Sequence, residues 1–140
     1  MRRHALAPLA AVALLLGACQ YQAPGPQAAI TLTVGRESYR PGESLSIGLR
    51  NASTATWGYN ACTRTLEREV SGGWQVVAEP NRMCTMQLAL LNGGETTTAT
   101  TDLPASLPAG RYRVALDFSK QGTGTSERTS ARGGPFTVTP

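Results

Sequence analysis

Apolar and polar residues alternate along much of this chain. Ile30, Leu32 and Val34 are separated by threonines, Leu45, Ile47 and Leu49 by Ser46 and Gly48, and Tyr112, Val114, Leu116 and Phe118 by Arg113, Ala115 and Asp117. A period of two marks extended strands with one face buried. Trp57-Gly58-Tyr59, residues 63–70, residues 74–77 and Phe136-Thr137-Val138 read as further strands. The threonine-dominated run 95–102 joins them, because β-branched side chains suit extended backbone better than helix. Tyr39-Arg40-Pro41-Gly42-Glu43, Val70-Ser71-Gly72-Gly73-Trp74 and Asn92-Gly93-Gly94 supply turns. Residues 103–110, with Pro104 and Pro108, predict a crossing loop, and the polar run 120–134 predicts a mobile loop or a long hairpin. No helix of ordinary length is evident, and the pattern predicts an all-β sandwich of about seven to eight antiparallel strands.

The first residues do not share this pattern. Arg2 and Arg3 precede a mostly apolar stretch, residues 5–16, which falls short of the roughly 20 residues a membrane-spanning helix needs and reads as a signal peptide. It closes on Leu16-Gly17-Ala18-Cys19, which resembles the lipobox of bacterial lipoproteins. The resemblance implies cleavage before Cys19, a lipid on Cys19, and an exported protein held to the bacterial membrane. The alternative is an ordinary secretory signal that leaves Cys19 as a stray thiol. The expected organisation is a signal peptide over 1–18, a lipidated cysteine and flexible Pro/Gly/Gln-rich tether over 19–28, and one folded domain over 29–140. Gln20, where aspartate would stand otherwise, resembles the sorting pattern of enteric lipoproteins bound for the outer membrane.

Charge and cysteine usage agree with export. The formal net charge is +4, and loss of Arg2 and Arg3 would leave 11 Lys+Arg against 9 Asp+Glu. The basic residues are scattered, which argues against a nucleic-acid partner. With Cys19 lipidated, Cys62 and Cys84 remain as an even pair expected to form a disulfide. A competing reading is Cu(I) binding through Met83, Cys84 and Met86, since thioether and thiolate are soft ligands. No histidine would accompany them after loss of His4, and methionines beside a strand more often fill a core.

The order of the segments carries a resemblance of its own. Arg40-Pro41-Gly42-Glu43 before a Leu-x-Ile-x-Leu strand, Thr65-Leu66-Glu67-Arg68 through Gly73-Trp74-Gln75-Val76-Val77, Leu107-Pro108-Ala109-Gly110-Arg111-Tyr112-Arg113-Val114, and a terminal Phe136-Thr137-Val138 look like the bacterial immunoglobulin-like domains of exported lipoproteins. The likeness covers most of residues 29–139, and the Cys62/Cys84 pair departs from the inter-sheet bridge of antibody domains. It implies a tyrosine-corner role for Tyr112, its ring buried and its hydroxyl bonded to backbone of the preceding loop. Trp57 and Trp74 are expected in the core, as large aromatics usually are.

Catalysis is hard to assemble from this inventory. A Ser-His or Cys-His nucleophile needs an imidazole, and the expected mature chain has none. The two aspartates, Asp102 and Asp117, fall at strand positions that put them in solvent, and no phosphate-binding loop precedes a helix. The expectation is a protein that is not an enzyme and needs no cofactor: an envelope lipoprotein with a binding, adhesion or accessory role toward an envelope protein or glycan. A second reading is a protease inhibitor of the bacterial β-sandwich type, with residues 120–132 as its loop and Lys120, Arg128 and Arg132 entering a pocket that selects basic residues. Copper handling is the third.

Overall fold

The structure is a computed structural model that describes residues 29–122, 124 and 127–140. Eleven strands follow one another in these residues: β1 (Ile30–Val34), β2 (Ser38–Tyr39), β3 (Ser44–Asn51), β4 (Trp57–Tyr59), β5 (Thr65–Val70), β6 (Gly73–Val76), β7 (Ala89–Leu91), β8 (Thr96–Asp102), β9 (Gly110–Lys120), β10 (Arg128–Arg132) and β11 (Phe136–Val138). A single 3-10 turn, Ala61–Thr63, separates β4 from β5. The excess over the expected seven to eight strands comes from three continuous lines of chain that are each interrupted once, β1/β2, β4/β5 and β10/β11.

The strands form two sheets. The smaller has the order β1-β3-β8, and the larger runs β2-β11-β9-β4-β7, with β5 and β10 also paired to β9 and β6 paired to β5. Every pairing is antiparallel except one. β2 lies parallel to β11, with Ser38 opposite Thr137 and Tyr39 opposite Val138. The wholly antiparallel expectation fails here because the chain keeps its direction when it crosses from the smaller sheet to the larger after β1. The run 120–134 resolves into the hairpin form of the expectation, β10 folding back on residues 115–119 of β9.

Alternation decides the core. Ile30 and Leu32 from β1, Leu45, Ile47 and Leu49 from β3, Leu66 from β5 and Tyr112, Val114, Leu116 and Phe118 from β9 are all buried in one cluster between the sheets. Tyr39 meets Phe136 edge-on at 5.4 Å between ring centroids, and Phe136 stacks on Tyr112 at 6.2 Å. Each such side chain contributes on the order of 1.5–3 kcal/mol through burial.

The polar loops are organised by a residue that the sequence places at a strand end. Asn51 is fully buried. Its Nδ2 donates to the carbonyls of Ala55 (2.7 Å), Asn92 (2.9 Å) and Leu91 (3.1 Å), while its Oδ1 accepts from the N–H and hydroxyl of Ser53. One side chain thereby ties the end of β3 to two loops. The closeness of those loops requires a glycine: a Cβ on Gly93 would lie 2.6 Å from the Thr54 carbonyl oxygen.

Candidate functional site

The region that leaves the sandwich pattern lies between β6 and β7. Asn60 caps the 3-10 turn by accepting from the Cys62 N–H at 3.0 Å and donates to the Thr85 carbonyl at 2.6 Å. Cys62 is bridged to Cys84, their Cα atoms 5.6 Å apart. The bridge joins the turn before β5 to the segment after β6, so it closes the base of the β5–β6 hairpin. This position suits the sequence, because residues 77–88 contain no strand of their own to hold them.

Charge completes the brace. Arg64 is buried, and its guanidinium grips both oxygens of Glu79 at 2.5 and 3.3 Å while donating to the Asp102 carbonyl at 2.8 Å. Arg82 reaches Glu79 at 2.8 Å, the Thr101 hydroxyl at 2.5 Å and the Cys62 carbonyl at 2.5 Å. Burial alone would push the Glu79 carboxyl up. The hydrogen bonds and charges of Arg64 and Arg82 outweigh it and hold the group below the usual 4.5. Burial likewise draws the Arg64 guanidinium down, opposed by Glu79. Both carboxylate oxygens of Glu79 are thus engaged by cations, which leaves this group unsuited to act as a base. An open cleft of about 310 Å³ lies beside the brace, lined by Pro80, Asn81, Leu103 and Pro104 among others.

Past Cys84 the surface changes character. Met83 and Met86 are 92% and 95% exposed, Leu88 45% and Leu90 54%. Methionines expected to fill a core therefore stand in solvent, because the disulfide carries their segment outside the sheets. β7 is an edge strand of the larger sheet, paired only with β4, where Gly58 lies opposite Leu90. The groove of about 260 Å³ beside it is lined by Tyr59, Ala61, Leu88 and Ala89 on one side and by Ala99 and Thr100 of β8 on the other.

The residues singled out from sequence fall in different places. Cys19, the signal peptide over 1–18 and the tether over 19–28 lie outside the described residues. The ring of Tyr112 is buried and its hydroxyl donates to the Pro108 carbonyl at 2.7 Å. Burial raises its phenol above the usual 10.0. Trp57 is buried in the core, but Trp74 is only half-buried. Trp74 stands opposite Glu69 on the outer face of the larger sheet, where the Arg113 guanidinium covers its ring at 4.4 Å. The β5–β6 turn sets this parity, so the expectation of a core Trp74 is corrected.

The copper reading loses a ligand, and the cations of the inhibitor reading are placed on the sheet. With Cys84 in the disulfide, the thiolate required for Cu(I) among Met83, Cys84 and Met86 is not present. Lys120 ends β9 and pairs with Glu127 at 2.8 Å, while Arg128 and Arg132 belong to β10, where Arg132 lies 3.6 Å from Glu67. These cations therefore sit along the β9–β10 hairpin. Sequence reasoning missed Arg64, Glu79, Arg82 and Asn51. Arg64 shares the parity of buried Leu66, which signals an inward-facing cation, but its partner fifteen residues on is brought to it by the disulfide.

A family of bacterial Ig-like domains matches residues 26–131. Among solved structures, the sporulation control protein Spo0M from Bacillus subtilis is similar at 14% identity and a TM-score of 0.43, over 78% of this chain and 48% of that one. This chain therefore spans about half of that protein. The ASH/PapD-like domain 7 of human CEP192 is similar at 17% identity and a TM-score of 0.34, over 90% of this chain and 96% of that domain. No curated protein matches. Among the described residues, no helix is long and apolar enough to cross a membrane.

Proposed function

Because the chain belongs to the bacterial Ig-like domain family, we propose that it is a non-enzymatic envelope lipoprotein whose sandwich binds another envelope component, a protein or a glycan, while a lipid on Cys19 holds it to the membrane. The observation that carries the binding role is the contrast around one braced segment: its charges pair with one another, whereas Met83, Met86, Leu88 and Leu90 are offered to solvent. Contiguous exposed apolar side chains on a secreted domain mark an interaction surface.

Anchoring at Cys19 is consistent with where the chain enters the fold. Ala29 lies at the end of the sandwich where its carbonyl accepts from Ala52, beside the loops tied by Asn51. A tether over 19–28 would hold that end roughly 20–30 Å from the bilayer. The cleft beside Arg82 and Pro104 would then face away from the membrane. In cells with two membranes the proposed site is the outer one.

Mass analysis of the protein isolated from membranes without reduction tests the anchor. The expected species carries acyl chains on Cys19, and Cys19→Ala moves the protein to the soluble fraction. An unmodified Cys19, or a membrane-bound Cys19→Ala protein, would remove the lipoprotein reading. A photo-crosslinking residue at position 90, in the intact envelope, should trap a discrete partner that the same residue at position 31 does not.

A further inference from the structure

We propose that β7 is a strand-addition site, taking an extended, uncharged, alternately apolar segment of another polypeptide onto the open edge of the larger sheet. The inference rests on the binding role above and names the partner's chemistry. Edge strands are ordinarily protected against pairing by being very short or by lysine, proline, a bulge or a covering loop, and of these β7 has only its shortness, three residues. Here residues 83–94 contain no Asp, Glu, Lys, Arg or Pro, in a chain that is 16% charged. Nothing in that stretch repels an incoming strand.

Side-chain placement indicates what such a strand would carry. Met86, Leu88 and Leu90 recur at every second position, and all three are exposed. Leu91 between the sheets is fully buried. A strand laid beside β7 would place alternate side chains next to Leu88 and Leu90, and the others toward the groove between β7 and β8 at Tyr59, Ala99 and Thr100. That groove is lined by uncharged groups, Asn60, Thr85, Gln87 and Thr100 beside Tyr59 and the alanines, so it offers small polar and apolar side chains partners but gives a charged one no opposite charge. The exposed methionines add an adaptable apolar border.

A second copy of this chain fits less well. Symmetric antiparallel pairing of β7 with β7 would point the two Ala29 ends in opposite directions, since Leu91 and Asn92 lie at the Ala29 end through Asn51. Two copies anchored in one membrane through Cys19 need those ends on the same side.

The test uses the full chain carrying Cys19→Ala, purified from the soluble fraction. The probe is a fluorescent ten-residue peptide alternating valine and threonine, compared with the same peptide N-methylated at alternate amides. Fluorescence anisotropy should show binding of the first, and hydrogen exchange should slow at residues 86–91. Leu90→Lys, and N-methylation of the peptide, should each weaken binding at least tenfold, while Thr31→Lys on β1 leaves it unchanged. Leu90 is half-exposed, so near-UV circular dichroism of Leu90→Lys should match the parent. Equal affinity for the N-methylated peptide, indifference to Leu90→Lys, or no binding by a folded protein would overturn strand addition. A concentration-dependent dimer abolished by Leu90→Lys, with the peptide unbound, would replace it by self-pairing. The anchored binding role fails separately, through an unacylated Cys19 or an absence of crosslinks in the envelope.

Discussion

Two polar side chains, the buried Asn51 and the half-buried Glu79, carry more of this fold than their number suggests. Asn51 supplies the donor for three loop carbonyls, so Asn51→Ala should cost at least about 1–3 kcal/mol in urea unfolding, the range for one buried polar group left without a partner. Asn51→Asp should be worse at neutral pH, because its carboxylate would face those same carbonyls, and the gap to Asn51→Ala should narrow on acidification. Glu79 behaves oppositely. Its carboxyl titrates below 4.5 in the folded protein, so the unfolded chain binds its proton first as pH falls. The stability it provides is present above pH 4.5 and lost as pH drops through the lower folded value. Glu79→Gln should therefore flatten the acid limb of stability below about pH 4.5, and an unaltered limb would show that the Arg64–Glu79–Arg82 cluster does not set it.

At the scale of elements, the Cys62–Cys84 bridge governs a segment with little regular structure. Closing 22 residues of sequence separation restricts the unfolded chain by about 3 kcal/mol, so Cys62→Ser should lower the melting temperature by about 10 °C under oxidising conditions. Reductant should do the same to the parent protein and nothing to the variant. The strands themselves were legible because burial alternates along β1, β3 and β9 as the side chains do. β2 and β7 were not read as such, being two and three residues long and defined by partners far away in sequence. Residues 86–91 form an apolar run in the sequence, but composition cannot tell an edge from a core, and their exposure shows only in the fold. The same limit misplaced Trp74, whose parity depends on a two-residue turn at Ser71 and Gly72 with Gly72 at φ +83°.

For the whole molecule, the two sheets share one core, and the chain enters and leaves it at opposite ends. Ile30 pairs with Asn51 at one end of β3, whereas Val138 pairs with Tyr39 near the turn that leads into Ser44 at the other. An axial pull between Ala29 and Thr139 would run along the strands, not across them. It would load the β1–β3 ladder together with the Thr137-to-Glu37 (2.8 Å) and Thr139-to-Tyr39 (3.0 Å) backbone bonds of the β2–β11 pair, all in shear. Bonds loaded side by side must break together, whereas a peeled hairpin opens one bond at a time. Single-molecule stretching should accordingly give one high-force rupture, reduced by Thr137→Pro, which deletes the N–H that donates to Glu37. Rupture at equal force in that variant would place the resistance elsewhere. Under the anchoring proposed above, a domain held at one end and gripped at its edge or far end would thus transmit tension to the bilayer without unravelling.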